Sequence, residues 1–69
     1  MNTIKHLSLT GISEVSWDDA INCIILKTAE TVDNITSIEI ISKSANINNN
    51  KISHYIVDVD LSFVVENKN

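Results

Sequence analysis

The chain has 69 residues, a single cysteine and a net charge of −4, from five basic and nine acidic residues. This acidic balance argues against nucleic-acid binding, which depends on basic contacts to phosphates. No apolar run is long enough to span a bilayer or resembles a signal peptide, so we expect a cytoplasmic protein without membrane contact. A chain this short buries only about 60% of its unfolded surface, and one cysteine excludes an internal disulfide, so its copies should associate.

The first predicted element is a strand over residues 3–10, in which apolar and polar residues alternate imperfectly. Leu7 and Leu9 lie on one side of this strand, as expected for a half-buried element. Gly11 is the only glycine and follows the strand directly. We therefore expect the first turn of the chain at Gly11.

One amphipathic helix is predicted from Trp17, with Ser16 as its N-cap and two aspartates in its first turn. The apolar period indicates one buried face, formed by Ala20, Ile21, Ile24, Ile25 and Val32. Asp33 and Asn34 are expected to end the helix, because asparagine tolerates the left-handed closing conformation. Two residues widen the apolar stripe and predict a second contact surface, with the cysteine as a small buried apolar residue: Cys23 and Leu26.

Two further strands are predicted at 35–47 and 51–66, joined by a hairpin turn at the three asparagines 48–50. The last strand alternates most regularly, and its helix-facing residues should be Tyr55, Val57, Val59, Leu61, Phe63 and Val65. In the 35–47 strand, Glu39 and Lys43 fall on one side and suggest a surface or interface ion pair.

The predicted fold class is α+β, with a β-α-β-β order in one domain over residues 1–66 and a disordered end at 67–69. The crossover through the helix makes the first two strands parallel. The third strand should lie between them and antiparallel to both, which gives the strand order 1-3-2.

Several segments of the chain together resemble the dodecins, in matching order and spacing: TGISEVSWDDA (10–20), VDNI (32–35), IEIISKSA (38–45) and LSFVVE (61–66). The resemblance implies a three-stranded antiparallel sheet wrapped around the helix, and twelve copies in a hollow shell. It also implies a non-enzymatic protein that stores or buffers a flavin, either riboflavin or flavin mononucleotide.

Two positions that hold the flavin in the family are substituted in this chain. The family's ring-stacking tryptophan lies two residues before an acid that corresponds to Glu39, and this position is Ser37. A glutamine that bonds the ring edge follows a tyrosine that corresponds to Tyr55, and this position is Ile56. Trp17 lies at the helix start, where the family also often has a tryptophan, so it is not assumed to substitute for the lost one.

Two alternatives to flavin storage remain open. Some dodecins bind calcium, and Asp58 and Asp60 project from one side of the last strand as candidate ligands, although a solvated acidic stripe is the simpler interpretation. The other alternative is a structural assembly without a ligand. Coenzyme A, which some members bind, cannot be assigned from the lysines, and His6 with His54 lacks a third ligand for zinc.

Overall fold

The computed structural model describes residues 2–66, which form one helix and one three-stranded sheet. The elements are β1 (Asn2–Ser13), α1 (Trp17–Ala29), β2 (Ile35–Asn48) and β3 (Lys51–Glu66). The strand order is β1-β3-β2, and β3 pairs antiparallel with both neighbours. The predicted β-α-β-β order and sheet topology are confirmed. The predicted disordered end, 67–69, lies outside the described residues.

The central strand β3 supplies most of the core, as its alternation predicts. Val57, Val59 and Leu61 are almost fully buried and pack against Ala20 and Ile24 of α1. Residues that pair across an antiparallel sheet share a face, so the register assigns the β1 and β2 side chains to the two faces. We call the face turned away from α1 the outer face.

Hydroxyl groups fix the start of α1. The Ser16 side chain accepts a hydrogen bond from the Asp19 amide at 2.9 Å, which confirms the predicted N-cap. The carboxylate of Asp19 turns back and accepts a 2.6 Å hydrogen bond from the hydroxyl of Ser13, a buried residue. The same hydroxyl accepts a hydrogen bond from the Val15 amide at 2.9 Å. The end of β1 and the first turn of the helix are therefore tied together.

The helix ends earlier than the sequence predicts. Its last residue is Ala29, and Glu30 is the C-cap, with an amide that donates to the carbonyls of the last turn. Asn34 does adopt a left-handed conformation, with φ of 60°, but it leads into β2 and does not close the helix. Val32 therefore lies beyond the helix, and the prediction that it continues the buried stripe is wrong.

Gly11 is not a turn residue, contrary to the sequence prediction. It lies inside β1, where it is buried and paired with Val57. A Cβ at this position would lie 2.6 Å from the Ile24 side chain and 2.9 Å from the Ala20 carbonyl oxygen. Glycine is required because the helix crosses β1 too closely for any side chain.

The hairpin between β2 and β3 is confirmed. Asn49 and Asn50 have φ angles of 53° and 64°, and the strands pair directly on either side of them. A two-residue turn with positive φ at both positions suits the twist of an antiparallel hairpin. Asparagine adopts this conformation at low cost, so the turn forms without glycine.

A register shift at Ile41 reverses the side-chain alternation of β2. Ile40 pairs with Val59, whereas Ser42 pairs with Asp58. Ile41 is thus an extra residue, and every residue after it points to the face opposite the one that simple alternation gives. Lys43 pairs with Val57 on the helix side, while Glu39 lies on the outer face, so the predicted Glu39–Lys43 ion pair does not form within the chain.

A single chain leaves much apolar surface exposed. Its radius of gyration is 14.6 Å and its longest dimension 57 Å, whereas a compact chain of this length has a radius of about 11 Å. Within the described part of the chain, the large apolar residues that remain exposed are Ile4, Ile12, Val15, Leu26, Ile40, Ile41, Ile47 and Ile52. Within residues 2–66, no helix has the length and apolar character needed to cross a membrane.

Candidate functional site

The outer face carries Ser37 and Ile56, the two positions at which the resemblance to dodecins implies contacts with a flavin. Ser37 pairs with Ser62, and Ile56 pairs with Ser44 and with Ile12, which assigns both positions to this face. Ser37 is exposed, and Ile56 is half-buried.

The two positions are far apart within one chain. Ser37 lies beside Ser62, which is six β3 residues from Ile56. At about 3.3 Å per residue, this offset separates them by roughly 20 Å along the strand. A three-ring flavin is shorter than this, so one chain cannot present both positions to the same ring.

Asp58 lies between the two positions and links all three strands. Its Oδ1 atom accepts a 2.7 Å hydrogen bond from Thr10 on β1, and its Oδ2 atom accepts a 2.8 Å bond from Ser42 on β2. The hydrogen bond from Thr10, and to a lesser extent that from Ser42, holds the pKa of Asp58 below its ordinary value. The two hydroxyl groups therefore favour the ionised form of Asp58 and orient its carboxylate.

Asp60 is next to a histidine and a second acid. Its Oδ2 atom lies 3.5 Å from Nδ1 of His6, and the Ser62 hydroxyl lies 3.0 Å from the same nitrogen. On the other side Asp60 pairs with Glu39 of β2. The outer face therefore holds three carboxylates between Ser37 and Ile56.

The described part of one chain holds no complete metal site. Among residues 2–66, no group of three or more histidine, cysteine or acidic side chains is arranged to hold a metal ion. Asp58 already uses both carboxylate oxygens for hydrogen bonds to hydroxyls. Calcium binds six to eight oxygens, so Asp58 and Asp60 would need further ligands from other copies.

The two histidines are not brought together. His6 pairs with Ser62, whereas His54 pairs with Asn46, eight residues away along β3. Nε2 of His54 instead lies 3.8 Å from a carboxylate oxygen of Glu14. The structure gives these histidines no shared ligand position.

Trp17 is engaged on the helix side of the sheet. Its indole N–H donates a 2.8 Å hydrogen bond to the Ser44 carbonyl. Its ring packs edge-on against the Tyr55 ring, with 4.9 Å between the two ring centroids. Tyr55 belongs to the helix face of β3, since it pairs with Ser13 beside the helix start. Trp17 therefore does not replace the aromatic ring missing at Ser37, which faces the other way.

Cys23 is exposed, so the prediction of a buried apolar cysteine is wrong. It lies on the rim of a groove of about 220 Å³ between α1 and β1, lined also by Leu9, Thr10, Gly11, Ile24, Lys27 and Thr28. The sequence analysis missed this groove. A signal was available in the helical period. Cys23 directly precedes the buried Ile24, and consecutive helix residues point in different directions, so Cys23 lies outside the buried stripe.

The chain is similar to dodecins both in sequence, by a family model, and in structure. The Dodecin family model matches residues 3–66. A dodecin from Streptomyces davaonensis is 23% identical with a TM-score of 0.89, covering 96% of this chain and 97% of that one. A variant of the T. thermophilus dodecin is 20% identical with a TM-score of 0.92, and the match covers 99% of this chain and 100% of that one.

A calcium dodecin from Mycobacterium tuberculosis, a calcium-chelating immunodominant antigen with a novel calcium-binding site, is also similar. It is 22% identical with a TM-score of 0.81, covering 97% of this chain and 96% of that one. No curated protein sequence matches. The structural similarities establish the fold, and the family match over nearly the whole length establishes membership: the chain belongs to the dodecin family.

Proposed function

We propose that this dodecin is a non-enzymatic, homo-oligomeric cytoplasmic protein that stores or buffers a small ligand, with a flavin as the ligand, at sites completed by two copies. The observation that carries the proposal is the separation of Ser37 and Ile56. They share the outer face, yet lie roughly 20 Å apart in one chain. If both positions contact one ring, they belong to different subunits.

The exposed apolar surface supports an assembly. Among residues 2–66, five apolar residues are buried, while eight large ones remain exposed. Covering such residues is worth about 25 cal/mol per Å² of apolar area removed from water. We propose the hollow twelve-copy shell of the family as the form that covers them.

The two substitutions favour weak, reversible binding. Stacking on an aromatic side chain contributes about 1–3 kcal/mol, and Ser37 has no ring to supply it. A hydrogen bond to the ring edge is absent at Ile56, which costs roughly 1–3 kcal/mol more in a desolvated site. Together these losses correspond to about a hundredfold or more in affinity, which suits exchange of a ligand better than permanent retention.

The proposal is tested by flavin fluorescence titration combined with native mass spectrometry. We expect a twelve-copy mass and saturable quenching with a dissociation constant in the micromolar range or above. The Ser37→Trp variant should bind about tenfold or more tightly, because stacking is restored. Thr36→Trp is the matched control. It adds a tryptophan one residue earlier, at the extra residue of the register shift between Ile35 and Ser37, which is not the ring-stacking position. A monomeric mass would overturn the proposal. So would an assembly that quenches no flavin fluorescence, either as the natural sequence or as the Ser37→Trp variant.

Calcium is the second candidate, favoured by the three outer-face carboxylates and by the similarity to a calcium dodecin. Asp58 and Asp60 are the proposed ligands, completed by oxygens of neighbouring copies. Calorimetry after chelation should then give saturable heat with calcium that is lost in Asp60→Asn. A trace with dilution heat alone removes this candidate, and a shell that binds neither flavin nor calcium is a structural assembly.

A further inference from the structure

The hairpin between β2 and β3 projects beyond the rest of the fold. β1 pairs with β3 only as far as Tyr55, and α1 begins beside the same row, where Trp17 packs edge-on against Tyr55. We call residues 46–54 the hairpin arm. Within the described chain, the backbone of this arm pairs only across the hairpin. A two-stranded hairpin is at best marginally stable in water, so the arm lacks the support that the three-stranded part of the sheet has.

The arm presents two isoleucines on the helix side of the sheet, beyond the helix itself. Ile47 pairs with Ile52, the pair before them lies on the outer face, and Ser53 is an extra residue of β3 between the two pairs. The register shift therefore turns both isoleucines to the side on which Tyr55 lies. Their exposed fractions are 63% for Ile47 and 45% for Ile52. We call the surface formed by these three residues the arm patch.

Charge is distributed unevenly along the arm. Lys51, at the tip, is exposed and is the only lysine, arginine or acidic residue of the arm. At the base of the arm, the exposed acids Glu14 and Asp18 lie at the start of α1. A carboxylate oxygen of Glu14 lies 3.8 Å from Nε2 of His54, the first β3 residue beyond the β1 pairing. The arm is therefore positive at its tip and negative at its base.

We propose that the hairpin arms of two copies of this chain pack against each other through their arm patches, antiparallel about a two-fold axis. This orientation covers the isoleucines of both arms and brings Lys51 of each copy to the acidic base of the other. A parallel orientation would bring like charges together at both ends. A two-fold contact uses the same surface on both copies, and the charge distribution of the arm is self-complementary in this way.

The arm contact is compatible with a ligand on the outer face. Because the arm patch lies on the helix side, packing of two arms leaves Ser37 and Ile56 uncovered. The groove that carries Cys23 is lined by later residues of α1, so it also remains open. The contact is thus one joint within an assembly, and it does not depend on which ligand the assembly holds.

Cross-linking tests the contact directly. In a Cys23→Ser background, Ile47→Cys supplies a single thiol in the arm patch, which a short bis-maleimide should link to the same residue of a second copy. Because a two-fold contact closes on itself, denaturing electrophoresis should show dimers and no larger species. The matched control is Ile4→Cys, an equally exposed isoleucine at the far end of β1, which should remain as single chains.

Charge reversal tests the antiparallel orientation. Lys51→Glu should raise the protein concentration at which the assembly half-dissociates by about tenfold, because like charges then meet at both ends. Adding Asp18→Lys should restore most of the loss, because the opposite charges are exchanged. Adding Asp33→Lys is the matched control, since it makes the same charge change at an exposed position beyond the end of α1 and should restore little. Sedimentation over a dilution series measures the assembly, and circular dichroism verifies that each variant is folded.

The outcomes separate the arm contact from the proposed function. An assembly that gives no dimers, gives larger cross-linked species, or links equally through Ile4→Cys would overturn the contact while assembly and flavin binding stand. Equal rescue by Asp18→Lys and Asp33→Lys would overturn the antiparallel orientation. Dimers through Ile47→Cys in a protein that quenches no flavin fluorescence would support the contact and remove flavin storage. A monomeric natural chain would overturn both.

Discussion

Gly11 and Ile24 are in such close contact that a Cβ at residue 11 would lie 2.6 Å from the Ile24 side chain. We expect Gly11→Ala to destabilise the protein by about 1–3 kcal/mol per chain, because the helix must move away from β1. Chemical denaturation at fixed protein concentration measures the loss. In the Ile24→Val background the cost of Gly11→Ala should be smaller, since part of the obstructing side chain is gone. Equal costs in the two backgrounds would contradict the contact.

Thr10 stabilises the ionised form of Asp58 through a 2.7 Å hydrogen bond. The folded pKa of Asp58 is lowered from 3.8, so this stabilisation is fully present above pH 3.8 and is lost as the pH falls through the folded pKa. Thr10→Val should raise the Asp58 pKa, seen by carboxyl NMR, and reduce the loss of stability on acidification. Thr36→Val removes a hydroxyl that bonds elsewhere, so it should leave the Asp58 titration unchanged.

Ser13 joins the end of β1 to the first turn of α1. Its hydroxyl donates to Asp19 and accepts from the Val15 amide in a buried environment. We expect Ser13→Ala to lower the free energy of unfolding by about 1–2 kcal/mol, because it leaves both partners unpaired. Ser8→Ala, at an exposed position of the same strand, should change it by less than about 0.5 kcal/mol. Similar losses for the two variants would contradict this role.

Cys23 is exposed on the rim of the helix groove, so its thiol should react in the native protein. We expect labelling by a maleimide at a rate within about tenfold of that in denaturant, because an exposed thiol keeps its access to the reagent. One label per chain, located by peptide mapping, completes the measurement. Strong protection in the assembled protein would show instead that a neighbouring copy covers the groove.

Much of the fold follows from local patterns. The alternation of β3 identifies its helix face without ambiguity, since Val57, Val59 and Leu61 are all apolar and all buried. The hairpin turn is predictable because asparagine adopts positive φ readily. The N-cap at Ser16 follows from its own chemistry, a hydroxyl directly before a helical period.

Three features that the sequence does not reveal share one physical origin, which is packing or pairing between elements distant in sequence. Gly11 resembles a turn residue until the helix is packed on top of it. The extra residue at Ile41 leaves no sign in the apolar pattern, because Ile40 and Ile41 are consecutive isoleucines and the sequence does not show which of them is unpaired. Ser37 and Ile56 can be located by family resemblance, but their separation emerges only from the register of the sheet.

Under the proposed function, the separation of Ser37 and Ile56 would link ligand occupancy to assembly. If one flavin contacts Ser37 of one copy and Ile56 of another, dissociation of the subunits destroys the site, and by mass action the ligand opposes that dissociation. Dilution would then release the flavin, and added flavin would restore the shell at protein concentrations too low for it to persist alone. Release of the stored molecule would follow the amount of protein that the cell maintains.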